Sequence, residues 1–174
     1  AAAVAKEPVA REALFRLRRI FEMDAKWKGE PPSKRKILRE QFLAHYEACL
    51  ATTTVLFDGV TSLLDEIEAR GLAWGIVTNK HARFTGPVVA ALALAPRARV
   101  VVSGDTTPNP KPHPAPLLHA ADVLSVAPDK CVYVGDDQRD IDAGRAAGMR
   151  TVAVKYGYLN SSAPEDWGAD VVIE

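Results

Sequence analysis

From residue 52 onward, short β-rich runs alternate with single helices, and this order constrains the fold more than any other feature of the chain. Trp74-Gly75-Ile76-Val77-Thr78 reads as a buried strand, and Val100-Val101-Val102, Cys131-Val132-Tyr133-Val134, Thr151-Val152-Ala153-Val154 and Val171-Val172-Ile173 as further strands. Residues 82–94, 116–124 and 141–147 between them read as helices, the first of them despite Gly86-Pro87, a pair that can delay a helix start. Residues 63–70 form a further helix, stopped by Gly71 at a C′ position. Strands joined by single helices through short loops mean βα units. The expected fold is α/β, a Rossmann-like parallel sheet flanked by helices.

Residues 1–51 have a different pattern. Leu14, Leu17 and Phe21 recur at helical spacing among Arg16, Arg18, Arg19 and Glu22. Gly29, Pro31 and Pro32 break that helix, and Ser33 is the expected N-cap of a second, whose Leu38, Phe42, His45 and Cys49 share a face. This segment reads as a small helical hairpin without a strand.

Charge and cysteine usage narrow the function. Among 174 residues, 22 Lys+Arg balance 22 Asp+Glu, which argues against a nucleic-acid partner. No apolar run approaches the ~18 residues of a membrane span. The start, Ala1-Ala2-Ala3-Val4, lacks the basic and apolar regions of a secretory signal. Cys49 and Cys131 lie far apart in unlike contexts, so neither a disulfide framework nor a zinc site is expected. A cytoplasmic setting fits these features best.

In open parallel sheets, ligands bind beyond the carboxyl ends of the strands. Three polar groups fall there: Thr78-Asn79-Lys80 after one strand, Lys111 after the next, and Gly135-Asp136-Asp137-Gln138-Arg139-Asp140 after a third. Each has an ordinary structural explanation: a turn leaving a strand, a solvated lysine, and carboxylates at a helix N-terminus. Together, a hydroxyl, a cation and a carboxylate cluster are parts for holding phosphate against a hard metal ion.

These residues resemble the haloacid dehalogenase superfamily of phosphatases. Ile76-Val77-Thr78-Asn79 is similar to its motif II, Lys111-Pro112 to motif III, and Gly135-Asp136-x-x-x-Asp140 to motif IV. Thr78-Asn79-Lys80, Gly104-Asp105-Thr106, the run from Lys111 to Leu117 and Ala147-Gly148-Met149 resemble the phosphoglycolate phosphatase branch. Tyr156-Gly157-Tyr158 and Trp167-Gly168-Ala169-Asp170 are shared with N-acetylmuramate 6-phosphate phosphatases. The resemblance implies a phosphatase acting on a small phosphorylated metabolite, as a monomer or homodimer, with Mg2+ as cofactor. Thr78 would bind a phosphoryl oxygen, with the Asn79 amide assisting. Lys111 would neutralise the phosphoryl group and the nucleophile. Asp136 would be a metal ligand, with Asp137 or Asp140 in the outer shell or orienting Lys111. Residues 1–51 would be a partial or shortened cap, and 52–174 the core.

One part is missing. The family's first motif, Asp-x-Asp-Gly-Thr, supplies the nucleophile and the general acid/base. Here Asp-x-Asp letters occur only at Asp140-Ile141-Asp142, inside motif IV. Phe57-Asp58-Gly59 either replaces the motif or is the turn leading into the helix at 63–70. The expectation is a chain truncated before its first strand, inactive as given, with the motif II and motif IV strands flanking a gap. Thr53–Phe57 or a swapped strand could fill that gap. The alternatives are an N-acetylmuramate 6-phosphate or other sugar-phosphate phosphatase, and a non-catalytic homologue that keeps a phosphate and metal cleft.

Overall fold

A computed structural model describes residues 5–6, 32–52, 54–159 and 162–174. The helix expected around Leu14, Leu17 and Phe21 lies outside them. The chain divides into two compact units, Glu7–Val55 on one side and Ala1–Lys6 with Leu56–Glu174 on the other.

In the first unit the described helix is α1 (Pro32–Cys49). It begins one residue before the expected cap, so Ser33 lies inside its first turn. Proline suits that opening position, where its missing N–H has no helical partner to lose and its φ is preset.

The second unit contains the alternation. Its elements are α2 (Val60–Ala69), β3 (Gly75–Val77), α3 (Ala82–Ala91), β4 (Val100–Val102), α4 (Ala115–Val123), β5 (Val132–Gly135), α5 (Gln138–Ala146), β6 (Arg150–Val154) and β7 (Val171–Ile173). Two short strands precede them, β1 (Ala5–Lys6) and β2 (Val55–Leu56), which pair with each other. The N-terminal segment therefore does contain a strand, contrary to the all-helical reading. Only two residues form it, too few to show as a period-2 pattern.

Helix α3 keeps its expected start despite the Gly-Pro pair. It starts at Ala82 and runs through Gly86-Pro87. The start holds because it is capped from outside the helix: His81 Nδ1 accepts the Arg83 N–H at 3.5 Å and Asp105 Oδ1 accepts the Ala82 N–H at 2.8 Å. At α2, Gly71 follows the C-cap with φ +70°, the left-handed conformation that ends a helix at little cost only for glycine.

All pairings within the core are parallel, but the strands form two sets. Val77 aligns with Val102 in β3–β4, while Val134 aligns with Val152 and Val154 with Ile173 in β5–β6–β7. Among the described residues no ladder joins β3 to β5, and β2 pairs with β1 and with neither of them. Val55–Leu56, the described strand of the run proposed to fill the gap, thus does not bridge the two sets.

Side-chain packing holds the sets in one unit. Val77 and Val102 from one share a core with Tyr133 from the other, covered by Leu117, Ala120 and Ala121 of α4 and Ala143 of α5. On the opposite face Ile76 packs with Val60 and Leu64 of α2 and Val89 of α3. Ile141, Ala153 and Trp167 form a third cluster over β6. Helices on both faces follow from successive residues of a strand pointing to opposite sides.

Candidate phosphate and metal site

The carboxyl ends of β3 and β5 bring the predicted residues to one edge. Thr78 prolongs the ladder, its N–H meeting the Val102 carbonyl at 2.9 Å. Its Oγ1 accepts the Lys80 N–H at 3.1 Å. The hydroxyl is thus both a turn acceptor and a donor whose proton is available to a ligand.

Asn79 has a task the sequence reading did not assign. Its side-chain oxygen accepts the Lys111 N–H at 2.9 Å and its nitrogen donates to the Lys111 carbonyl at 2.8 Å. The side-chain amide clamps the Lys111 backbone from both sides. Gly104 lies against the Asn79 carbonyl so closely that a Cβ would overlap it. The Gly104 N–H donates to the Lys80 carbonyl at 2.8 Å, fastening the two loops together.

Lys111 is 4% exposed, and three acceptors surround its ammonium: Asp140 Oδ1 at 2.6 Å, the Tyr133 hydroxyl at 2.7 Å and the Val77 carbonyl at 3.1 Å. The last contact follows from the split between the strand sets. Because the Thr78 N–H points to β4, the Val77 carbonyl of the same trans peptide points the other way. Among the described residues no strand meets it there; the Tyr133 hydroxyl donates to it at 3.0 Å. Tyr133 is the residue that sequence reasoning missed. It reads as one more buried strand position, and nothing local signals that its hydroxyl reaches across the unit. Burial, then the charges of Asp140 and Asp136, push its phenol well above the usual range, so it remains a neutral donor. Tyr133→Phe is expected to cost about 1–2 kcal/mol, measured by chemical denaturation, because it strips a partner from a buried ammonium.

The carboxylates have separate surroundings. Asp137 caps α5, its Oδ1 accepting the Arg139 N–H at 2.9 Å, and pairs with the Arg139 guanidinium at 2.8 Å. That guanidinium holds the Asp137 carboxyl below its ordinary range. Asp140, in the first turn of α5, orients Lys111 through Oδ1. Its Oδ2 is buried without a hydrogen-bond partner, against Gly135, where a Cβ would overlap it. Of the two candidates for orienting Lys111, Asp140 is the one in contact.

Asp136 differs from both. It is 6% exposed, and no described cation pairs with it. The Tyr158 N–H donates to its Oδ2 at 2.7 Å. Burial pushes its carboxyl up, the neighbouring Asp140 adds to the effect, and the Tyr158 N–H opposes it. Among the described residues no three His, Cys, Asp or Glu side chains converge as a ligand set. His113 is exposed, and its Nδ1 accepts the Ala115 N–H at the head of α4. Asp58 is exposed in the turn before α2, followed by Gly59 at φ +82°.

Comparison with known proteins gives this edge its context. The haloacid dehalogenase-like hydrolase family matches residues 5–154. The chain belongs to that family. A phosphoglycolate phosphatase of Xanthomonas campestris pv. campestris is 49% identical over 141 residues, 80% of this chain and 64% of the relative. An N-acetylmuramic acid 6-phosphate phosphatase of Pseudomonas putida is 45% identical over 138 residues, covering 79% of this chain and 62% of the relative. The chain therefore spans less than two thirds of the length of these relatives. In structure it resembles a predicted phosphoglycolate phosphatase of Haemophilus somnus, with a TM-score of 0.82 at 26% identity over 87% of this chain and 68% of that one. CbbY from Rhodobacter sphaeroides, solved with phosphate, shares the fold with a TM-score of 0.73 at 22% identity over 88% and 70% of the two chains. No helix among the described residues is long and apolar enough to cross a membrane.

Proposed function

We propose that this edge binds a phosphomonoester and a divalent cation, in a hydrolase of phosphoglycolate phosphatase type. The observation that carries the reading is the pairing pattern. Asp137 and Asp140 each have a cation, whereas buried Asp136 has none among the described residues. A buried carboxylate without a positive partner is costly unless a cation is supplied. Mg2+ fits this donor set, since it binds through one or two carboxylates and completes its shell with water and phosphate oxygens. When bound, it would supply charge neutralisation at the phosphoryl oxygens. Asp136 would hold it, the Thr78 hydroxyl would donate to a phosphoryl oxygen, and Lys111 would stabilise the negative charge that builds on the equatorial oxygens.

Turnover needs a positioned carboxylate nucleophile, and the family's Asp-x-Asp-Gly-Thr is not in this sequence. The reading is therefore that a carboxylate-bearing strand from outside the described residues lies between β3 and β5 in the active enzyme, and that residues 1–51 belong to its cap. The unjoined strand sets and the side-chain contacts on the Val77 carbonyl support this. Similar identities to phosphoglycolate and N-acetylmuramic acid 6-phosphate phosphatases keep a sugar phosphate as the second substrate reading. A homologue that binds without turnover is the competing class, favoured by the absent motif.

Phosphate release from phosphoglycolate, N-acetylmuramate 6-phosphate and other sugar phosphates, with and without Mg2+, tests the reading. The 18.8 kDa chain is expected to release none, and the protein supplied with the missing motif is expected to prefer one of them. Clear turnover by the 18.8 kDa chain would make Asp58 the nucleophile to test. No turnover after the motif is supplied would favour the non-catalytic class.

A further inference from the structure

The loop after β6, Tyr156-Gly157-Tyr158, touches the site in a way that its sequence does not announce. Three observations converge on it. Gly157 lies against the Asp136 side chain, where a Cβ would overlap Asp136 Cβ and Oδ2. The Tyr158 N–H donates to Asp136 Oδ2 at 2.7 Å. The rings of Tyr156 and Tyr158 pack at 5.2 Å and 6.3 Å from buried Phe57, which ties the loop down on both sides of the glycine.

We propose that Gly157 is a positioning residue for a divalent cation at Asp136. The loop commits one carboxylate oxygen to the Tyr158 N–H and so directs the other to the metal. The proposal rests on the cation reading above and adds to it a residue that contacts no ligand itself. Only glycine permits the approach, because any side chain at 157 would drive the loop from the carboxylate and remove its backbone donor. Outer contacts of this kind commonly set metal affinity by about 10–100-fold.

The test is Mn2+ binding to the chain, followed by loss of the free-ion electron paramagnetic resonance signal. Gly157→Ala is expected to weaken binding by about tenfold or more. Gly86→Ala, on α3, where a Cβ meets nothing within 4 Å, is expected to bind as the wild type does. Equal affinity in Gly157→Ala and wild type would overturn the proposal while leaving the cation reading intact. A wild type that takes up no Mn2+ overturns both. Should Gly157→Ala fail to fold, the Tyr158 amide resonance decides. It is expected to move on Asp136→Ala and to shift during Mg2+ titration of the wild type with the midpoint of binding. An amide indifferent to both contradicts the proposal.

Discussion

Lys111→Met is expected to lower stability by about 3–5 kcal/mol, because it leaves the Asp140 carboxylate buried and unpaired. Both side chains of this pair are 3% exposed at a separation of 2.6 Å, so water cannot take over the lost partner. For a chain of this length the melting temperature should fall by roughly 10 °C. Removing the other charge as well, in Lys111→Met/Asp140→Asn, is expected to recover much of the loss, since the penalty comes from the orphaned charge rather than from lost packing. The double-mutant cycle reads that coupling directly. Single variants whose losses simply add would contradict the pair as described.

Asp136→Asn is expected to act in opposite directions on stability and on ligand binding. The folded carboxyl sits above its ordinary value of 3.8, chiefly through burial. Below 3.8 both the folded and unfolded states hold the proton, and the group is neutral in stability. As pH rises from 3.8 through the raised folded value, the unfolded state ionises first and stability falls. Above that window the penalty is constant. The asparagine variant carries no such penalty, so it should melt higher than the wild type near pH 7 and match it near pH 3. The same substitution should abolish divalent-cation uptake. Scanning calorimetry at the two pH values, beside Mn2+ titration, checks both halves. An Asp136→Asn protein that melts lower than the wild type at neutral pH would contradict the idea that this carboxylate is held at a cost.

The βα order was legible because period and punctuation agree: each apolar run is short, and each helix ends near a glycine or a turn. Helix α3 could be read from Ala82, although Gly86-Pro87 looks like a breaker in isolation. The contacts that start the helix include Asp105, 23 residues away. The position of Thr78, Lys111, Asp136 and Asp140, each after a strand, could also be read. What could not be read is the division of labour among them. The Asn79 side chain clamps the backbone of Lys111, 32 positions on, and nothing local announces it. Tyr133 looks like core until its hydroxyl meets the Val77 carbonyl, 56 positions back. Gly157 looks like a loop glycine until Asp136 is found against it. Each of these is a long-range contact through a backbone group or a single atom, which leaves no periodic trace in sequence.

The central claim is that one edge binds phosphate and a divalent cation together, through Lys111 and Asp136. Calorimetric titration of inorganic phosphate, with and without Mg2+, measures that coupling most directly. Phosphate is predicted to bind more tightly when Mg2+ is present, with the gain lost in Asp136→Asn and binding itself lost in Lys111→Met. Phosphate affinity indifferent to Mg2+, or unchanged in Lys111→Met, would contradict the account.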